Sequence, residues 1–140
     1  MCNVKITEHE ITPFLSEIVG LLCAEGSHIT SFSSYWGNDR GKKRFFKNDR
    51  SERIEVYNKD SRVLKGLQSL LLLECNYKTN ITAYNKIHIC KKTVIQKILH
   101  ETPLGHTRWK IPSSVINGSQ TIKASFIKGL LMEMAQFEER

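Results

Sequence analysis

The chain has 140 residues, a length that suits one compact domain and leaves no room for two complete ones. Hydrophobic residues make up 40% and charged residues 25%, which argues against global disorder. Twenty-one Lys and Arg residues against fourteen acids give a net charge of +7, and such a surplus favours a polyanion such as nucleic acid. A protein that is merely basic stays the alternative.

The sequence also indicates where the protein works. The apolar run Leu70–Leu73 is far too short to span a membrane. The first ten residues mix charged and polar side chains and lack the apolar core of a secretory signal. We therefore expect a cytoplasmic protein with no membrane partner.

The first element is a helix from Pro13 to Gly26. Thr12 is a suitable N-cap, and Pro13 suits the first helical position because its missing amide hydrogen has no partner there anyway. Gly26 is expected to end the helix in the left-handed conformation. Gly20 lies inside the helix, where glycine is unfavourable, and indicates that another backbone approaches closely.

Two strands are expected next, near Ile29–Trp36 and Glu52–Tyr57, because these segments are rich in β-branched and aromatic residues or alternate in polarity. The charged segment between them, residues 37–51, is expected to be a long connection. A helix over Asp60–Cys75 follows, with leucines at helical spacing.

A second strand pair is expected at Tyr77–Thr82 and Tyr84–Cys90, followed by helices near Thr93–Glu101 and Ser119–Arg140. Hairpins imply an antiparallel sheet, and the helices between them must cover one of its faces. The sequence therefore predicts an α+β fold whose second sheet face is open to a ligand.

This order of elements, together with the segment Ile18–Gly26 (IVGLLCAEG), resembles the LAGLIDADG homing endonucleases. The motif matches at Gly20, Leu21, Ala24 and Gly26. Glu25 stands at the family's metal-binding acid, whereas Cys23 replaces the first acid. The resemblance implies an αββαββα domain over residues 1–102 whose sheet forms a saddle for DNA.

A second, degenerate motif follows over residues 103–140. Trp109–Gln120 and then Ala124–Ala135 resemble the linker and second motif of two-motif members of the family. Gly129 keeps the packing side of this helix, but Met134 stands where the second acid should be. The resemblance thus implies helix packing without the second metal ligand.

The implied activity is Mg²⁺-dependent cleavage of double-stranded DNA. Glu25 is the expected catalytic and metal-binding residue, and Lys91 or Lys92 is expected beside the scissile phosphate. Because of Met134, an inactive DNA-binding protein or remnant of a homing endonuclease stays the alternative. RNA also stays open as a partner, since intron maturases share this fold.

Two groups of residues are expected to contact DNA. Basic side chains near Phe45 and Phe46 suit a segment that follows the duplex backbone. They are Arg40, Lys42, Lys43, Arg44, Lys47, Arg50 and Arg53. Polar positions on the expected strands could read base edges, although a slip of one residue would exchange the two faces. They are Tyr35, Lys78, Asn80, Lys86 and His88.

Gly20 and Gly129 are the expected packing positions of the motif helices, and they allow two assemblies. In one, the chain's own Gly129 helix covers Gly20. In the other, two chains pair their first helices and bring two copies of Glu25 together. A paired sheet would read a symmetric site, so we expect a homodimer.

Overall fold

The computed structural model describes residues 11–105 and 107–132. These residues contain helices and a three-stranded antiparallel sheet, joined by turns and loops. The elements are α1 (Pro13–Glu25), β1 (Gly26–Asp39), β2 (Lys42–Tyr57), α2 (Ser61–Cys75), β3 (Lys86–Ile89), α3 (Lys92–Leu99), α4 (Ser113–Ile116) and α5 (Gln120–Leu130). The sheet order is β1-β2-β3, and the predicted α+β class is confirmed. Within these residues, no helix has the length and apolar character needed to cross a membrane.

Helix α1 lies at the centre of the molecule. Thr12 caps it as expected, its hydroxyl accepting a hydrogen bond of 3.1 Å from the amide of Leu15. All residues from Leu15 to Cys23 are buried, as expected for a helix that is covered on every side. The predicted left-handed end is wrong, because Gly26 has extended dihedral angles (φ −90°, ψ 153°) and α1 runs directly into β1.

Two hydrophobic clusters flank α1. The larger one joins α1 to the inner face of the sheet and to α2 and α3, and its fully buried members include Ile18, Leu21, Leu22, Ile54, Leu64, Leu67, Leu71, Ile87, Ile89, Ile95 and Ile98. The smaller one joins α1 to the C-terminal helices and contains Ile11, Leu15, Val19, Cys23, Val115, Ile122 and Phe126. Helix α1 therefore positions the sheet on one side and α5 on the other.

The connection between β1 and β2 differs from the prediction. The expected long loop over residues 37–51 is wrong, since both strands continue to a two-residue turn at Arg40 and Gly41. Both turn residues have positive φ (55° and 83°), as in the tight turns that match the twist of a hairpin. Neither hydrophobic cluster includes a residue of the segment from Ser31 to Ser51. We call this two-stranded segment, residues 31–51, the ribbon.

The prediction of a strand over Tyr77–Thr82, the first strand of the expected second hairpin, is wrong. Of Tyr77–Thr82, only Ile81 pairs with the sheet, through an isolated bridge to Ile87. The Gln68 side chain donates to the carbonyl of Thr79 (2.7 Å), and the amide of Cys90 donates to the Tyr77 hydroxyl (3.1 Å). These side-chain hydrogen bonds occupy backbone groups that would otherwise pair between strands. The sheet therefore has three strands rather than the expected four.

Helices α1 and α5 pack backbone against backbone at the two predicted glycines. A Cβ atom on Gly20 would meet the carbonyl oxygen of Phe126, and one on Gly129 would meet the carbonyl oxygen of Glu17. The Ser16 hydroxyl also donates to the carbonyl of Ile122 (2.8 Å). The chain's own α5 thus covers the surface around Gly20, the first of the two expected assemblies, and a homodimer through paired first helices would require α5 to leave that surface.

Candidate nucleic-acid interface

The sheet has one covered face and one open face. On β2, Ile54 and Val56 point into the core, so the residues that alternate with them lie on the other face. Glu55 lies directly opposite both Ser27 of β1 and His88 of β3. The open face therefore presents the side chains of Ser27, Ile29, Ser31, Ser51, Arg53, Glu55, Tyr57, Lys86 and His88.

Three predicted DNA-contacting residues surround Glu55 on this face. The Arg53 Nε donates to the Glu55 carboxylate at 2.6 Å, and the Lys86 Nζ lies 3.5 Å from it. His88 Nε2 lies 3.7 Å from the same carboxylate, too far for a good hydrogen bond, and has no hydrogen-bond partner. One acid thus orients three cationic or protonatable groups, which leaves the face positive.

The hydrogen bond from Arg53 lowers the pKa of Glu55 below its usual range. The Glu55 carboxylate therefore takes up a proton more readily in the unfolded chain than in the folded one. Its contribution to stability is complete at pH values above the ordinary pKa of a glutamate, and it is lost as the pH falls through the lowered pKa of the folded state. We expect Glu55→Gln to destabilise the fold at neutral pH and the difference from wild type to shrink as the pH falls below the ordinary pKa of a glutamate. Urea unfolding across this range measures the difference, and a constant difference would contradict the assignment.

The ribbon carries six of the seven basic residues predicted for the charged segment, and Arg53 lies at its base. All six are exposed, and only Asp39 and Asp49 oppose them within the ribbon. Arg44 pairs with Asp39 (2.8 Å), and Arg50 lies 3.6 Å from Glu52. Three lysines of the ribbon make no ion pair or side-chain hydrogen bond with the described residues: Lys42, Lys43 and Lys47. Their charges are therefore available to a ligand.

Aromatic side chains alternate with these charges. Tyr35 stacks on Phe46 (centroids 5.1 Å apart), and its hydroxyl donates to Asp49 (2.8 Å), a hydrogen bond that raises the pKa of Tyr35. Trp36 and Phe45 form the second pair, with centroids 5.2 Å apart. Trp36 is 71% exposed and was not among the residues predicted for the site. Its position in a strand flanked by a basic run was the available signal.

The predicted catalytic residues are not brought together. Glu25 accepts a 3.4 Å hydrogen bond from the Asn58 side chain, beside the Gly26–Val56 pair of the sheet. Lys91 and Lys92 follow Ile89 at the other end of β3. Lys92 lines a cavity with Arg50, Ser51, Glu52, Arg53 and Cys90. The sheet register therefore separates Glu25 from these lysines, and their role in one site stays a prediction.

The described residues do not fit a magnesium site at Glu25. No group of three or more His, Cys, Asp or Glu side chains that could hold a metal occurs in residues 11–105 and 107–132. The neighbour of Glu25 is an amide that donates to it rather than a second oxygen ligand. Met134, where the family has its second acid, lies outside the described residues.

Two of the residues predicted to contact DNA, Lys78 and Asn80, lie outside the three strands. Lys78 and Asn80 are exposed, but they flank Thr79 in the segment that is held by α2, so the expectation that they lie on a strand is wrong. His28 on β1 contacts Glu52 of β2 at 2.8 Å. This hydrogen bond lowers the pKa of Glu52.

Comparison with known proteins adds no relative. No protein-family model matches the sequence, and no curated protein matches it either. The likeness to LAGLIDADG proteins therefore depends on the residues quoted above and stays a prediction.

Proposed function

We propose that this protein binds double-stranded DNA through the ribbon and the open face of the sheet. The observation that carries the proposal is the ribbon itself, which extends beyond both hydrophobic clusters with six basic residues against two acids. A strand pair that buries no core residue gains little stability from its exposed aromatic and cationic side chains. A polyanionic ligand gives the cationic side chains a role.

The dimensions of the ribbon suit a DNA groove. About nine residues a strand, at about 3.3 Å each, give a length of roughly 30 Å, close to one turn of the duplex at about 34 Å. The major groove, about 12 Å wide, admits a two-stranded ribbon. In this arrangement the ribbon lysines contact phosphates, while Arg53, Lys86 and His88 on the open face are placed to meet base edges.

The proposed function is binding of double-stranded DNA without cleavage of the DNA. The LAGLIDADG resemblance adds the expectation of a Mg²⁺-dependent cut, and the close packing at Gly20 and Gly129 agrees with that resemblance. Cleavage in that family uses one acid from each motif, whereas this sequence has Glu25 in the first motif and Met134 in the second. The alternative of an inactive DNA-binding protein therefore agrees better with the residues at this site.

A charge-matched pair of variants tests the proposal. We expect Lys42→Gln/Lys43→Gln/Lys47→Gln to weaken duplex binding about tenfold or more at moderate salt. It should also reduce the slope of log affinity against log salt by about 3, or about one for each lost phosphate contact. Fluorescence anisotropy of a labelled duplex, titrated between about 50 and about 200 mM salt, measures both quantities.

The control is Lys65→Gln/Lys110→Gln/Lys123→Gln, which removes the same charge from positions outside the sheet. We expect this variant to keep most of the affinity and of the salt slope. Equal losses in both variants would mean that net charge, rather than the ribbon, determines binding. No binding of wild type to any duplex at low salt would overturn the proposal.

A further inference from the structure

The outer half of the ribbon has two unlike faces. On one, Tyr35 stacks on Phe46, the Arg44 guanidinium lies 5.3 Å from the centre of the Phe46 ring, and Arg44 also pairs with Asp39. The Tyr35 hydroxyl is held by Asp49. The rings, Arg44 and the two acids on this face satisfy one another, so its aromatic surface has little left to offer a ligand. Lys42, opposite Asp39, is also on this face.

The opposite face is not satisfied in this way. Trp36 lies opposite Phe45, and Asn38 lies opposite Lys43, which puts these four side chains on one face. The two rings are inclined at 53°, so Phe45 does not cover the indole. Within the described part of the chain, Asn38 and Lys43 make no side-chain hydrogen bond or ion pair.

These side chains also border an open cavity. Trp36, Gly37, Asn38 and Lys43 line it. Gly37 contributes backbone to the cavity, since a Cβ at this position would lie against the rings of Tyr35 and Phe46 on the other face. Phe32, 64% exposed and four residues before Trp36 on β1, extends the aromatic surface along the strand.

The chemistry of this cavity matches one nucleotide. A planar base can stack on the indole of Trp36, the Asn38 amide offers both a donor and an acceptor to a base edge, and the Lys43 ammonium suits a phosphate. Bases inside an intact duplex are stacked on each other and offer no free ring face. The matching ligand is therefore an unpaired base.

The charge of the ribbon favours nucleic acid over a protein that would cover the same aromatic face. Lys43 lines the cavity and the ribbon carries six basic residues against two acids, so a second copy of the ribbon would bring like charges together. We propose that the Trp36 face is a stacking site for unpaired bases of single-stranded DNA. This inference rests on the proposed function for the ribbon and adds a second, structurally distinct mode of binding to it.

The test uses the fluorescence of Trp36. The chain has two tryptophans, and Trp109→Phe leaves Trp36 as the reporter, since Trp109 packs against the smaller hydrophobic cluster. In this background, an oligothymidylate should quench the emission. An abasic oligomer of equal length and charge should bind more weakly and leave the emission unchanged, because it has phosphates but no rings to stack.

Trp36→Ala should reduce affinity for the oligothymidylate about tenfold, while affinity for a duplex changes less than about twofold. Trp36→Phe should retain more of the single-strand affinity than Trp36→Ala, because it keeps a ring. Equal binding of the abasic and base-containing oligomers, without quenching, would overturn the stacking site. A solution mass that falls in Trp36→Ala would overturn it in favour of self-association through this face.

The duplex titration separates this inference from the proposed function. Duplex binding that persists while the single-strand effects are absent refutes the stacking site alone. Loss of all duplex binding in wild type refutes the proposed function first.

Discussion

Gly129→Ala is expected to lower the free energy of unfolding by about 3 kcal/mol. The added Cβ would meet the carbonyl oxygen of Glu17 and lie 2.8 Å from the amide nitrogen of Leu21. Both atoms belong to the backbone of α1, which cannot move aside without separating the two helices. Gly20→Ala should have a similar effect, because its Cβ would meet the backbone of Phe126 and Leu130.

Gly66→Ala in α2 is the matched control. There the added Cβ has one near neighbour, the terminal methyl of Met132 at 3.3 Å, which belongs to a flexible side chain. Alanine is favoured over glycine in a helix by up to about 1 kcal/mol, so this change should be neutral or stabilising. Urea unfolding of the three variants measures the difference.

Equal stabilities for Gly129→Ala and Gly66→Ala would mean that α5 does not pack on Gly20 in solution. The surface of α1 would then be free for a second chain, and the expected homodimer would return as an explanation. Light scattering at micromolar concentration would show a doubled mass in that case.

The helices could be predicted well where local signals set their ends. Helix α2 was expected over Asp60–Cys75 and runs from Ser61 to Cys75. The Asp60 side chain caps its first turn, and Asn76 ends it in the left-handed conformation (φ 51°). At Gly26 the same kind of reasoning was wrong, because the strand that follows α1 determines the backbone angles there.

The part of the ribbon beyond Trp36 could not be predicted as strand because hydrophobic alternation is absent from it. Alternation arises when one face of a strand is buried, and both faces of the ribbon are exposed. Its dense charge therefore suggested a loop. The local clue was the Arg40–Gly41 pair, where glycine suits the second position of a tight turn.

The missing fourth strand and the separated lysines depend on contacts that are distant in sequence. Gln68 holds the carbonyl of Thr79 from a different element, and no pattern within Tyr77–Thr82 reveals this contact. Likewise, the separation of Glu25 from Lys92 follows from the register of β2 against both of its neighbours. The sequence contains these residues but does not indicate which of them meet.

Removal of the ribbon tests the account most directly. Replacing residues 32–50 with Asn-Gly joins Ser31 to Ser51, which lie directly opposite each other, through a dipeptide suited to a tight turn. Neither hydrophobic cluster contains a residue of the removed segment, so we expect the shortened protein to retain its helical circular dichroism and cooperative urea unfolding. Its affinity for duplex DNA should fall about a hundredfold at moderate salt, because most of the proposed phosphate contacts are lost. A shortened protein that folds and binds duplex DNA as tightly as the full chain would contradict the account.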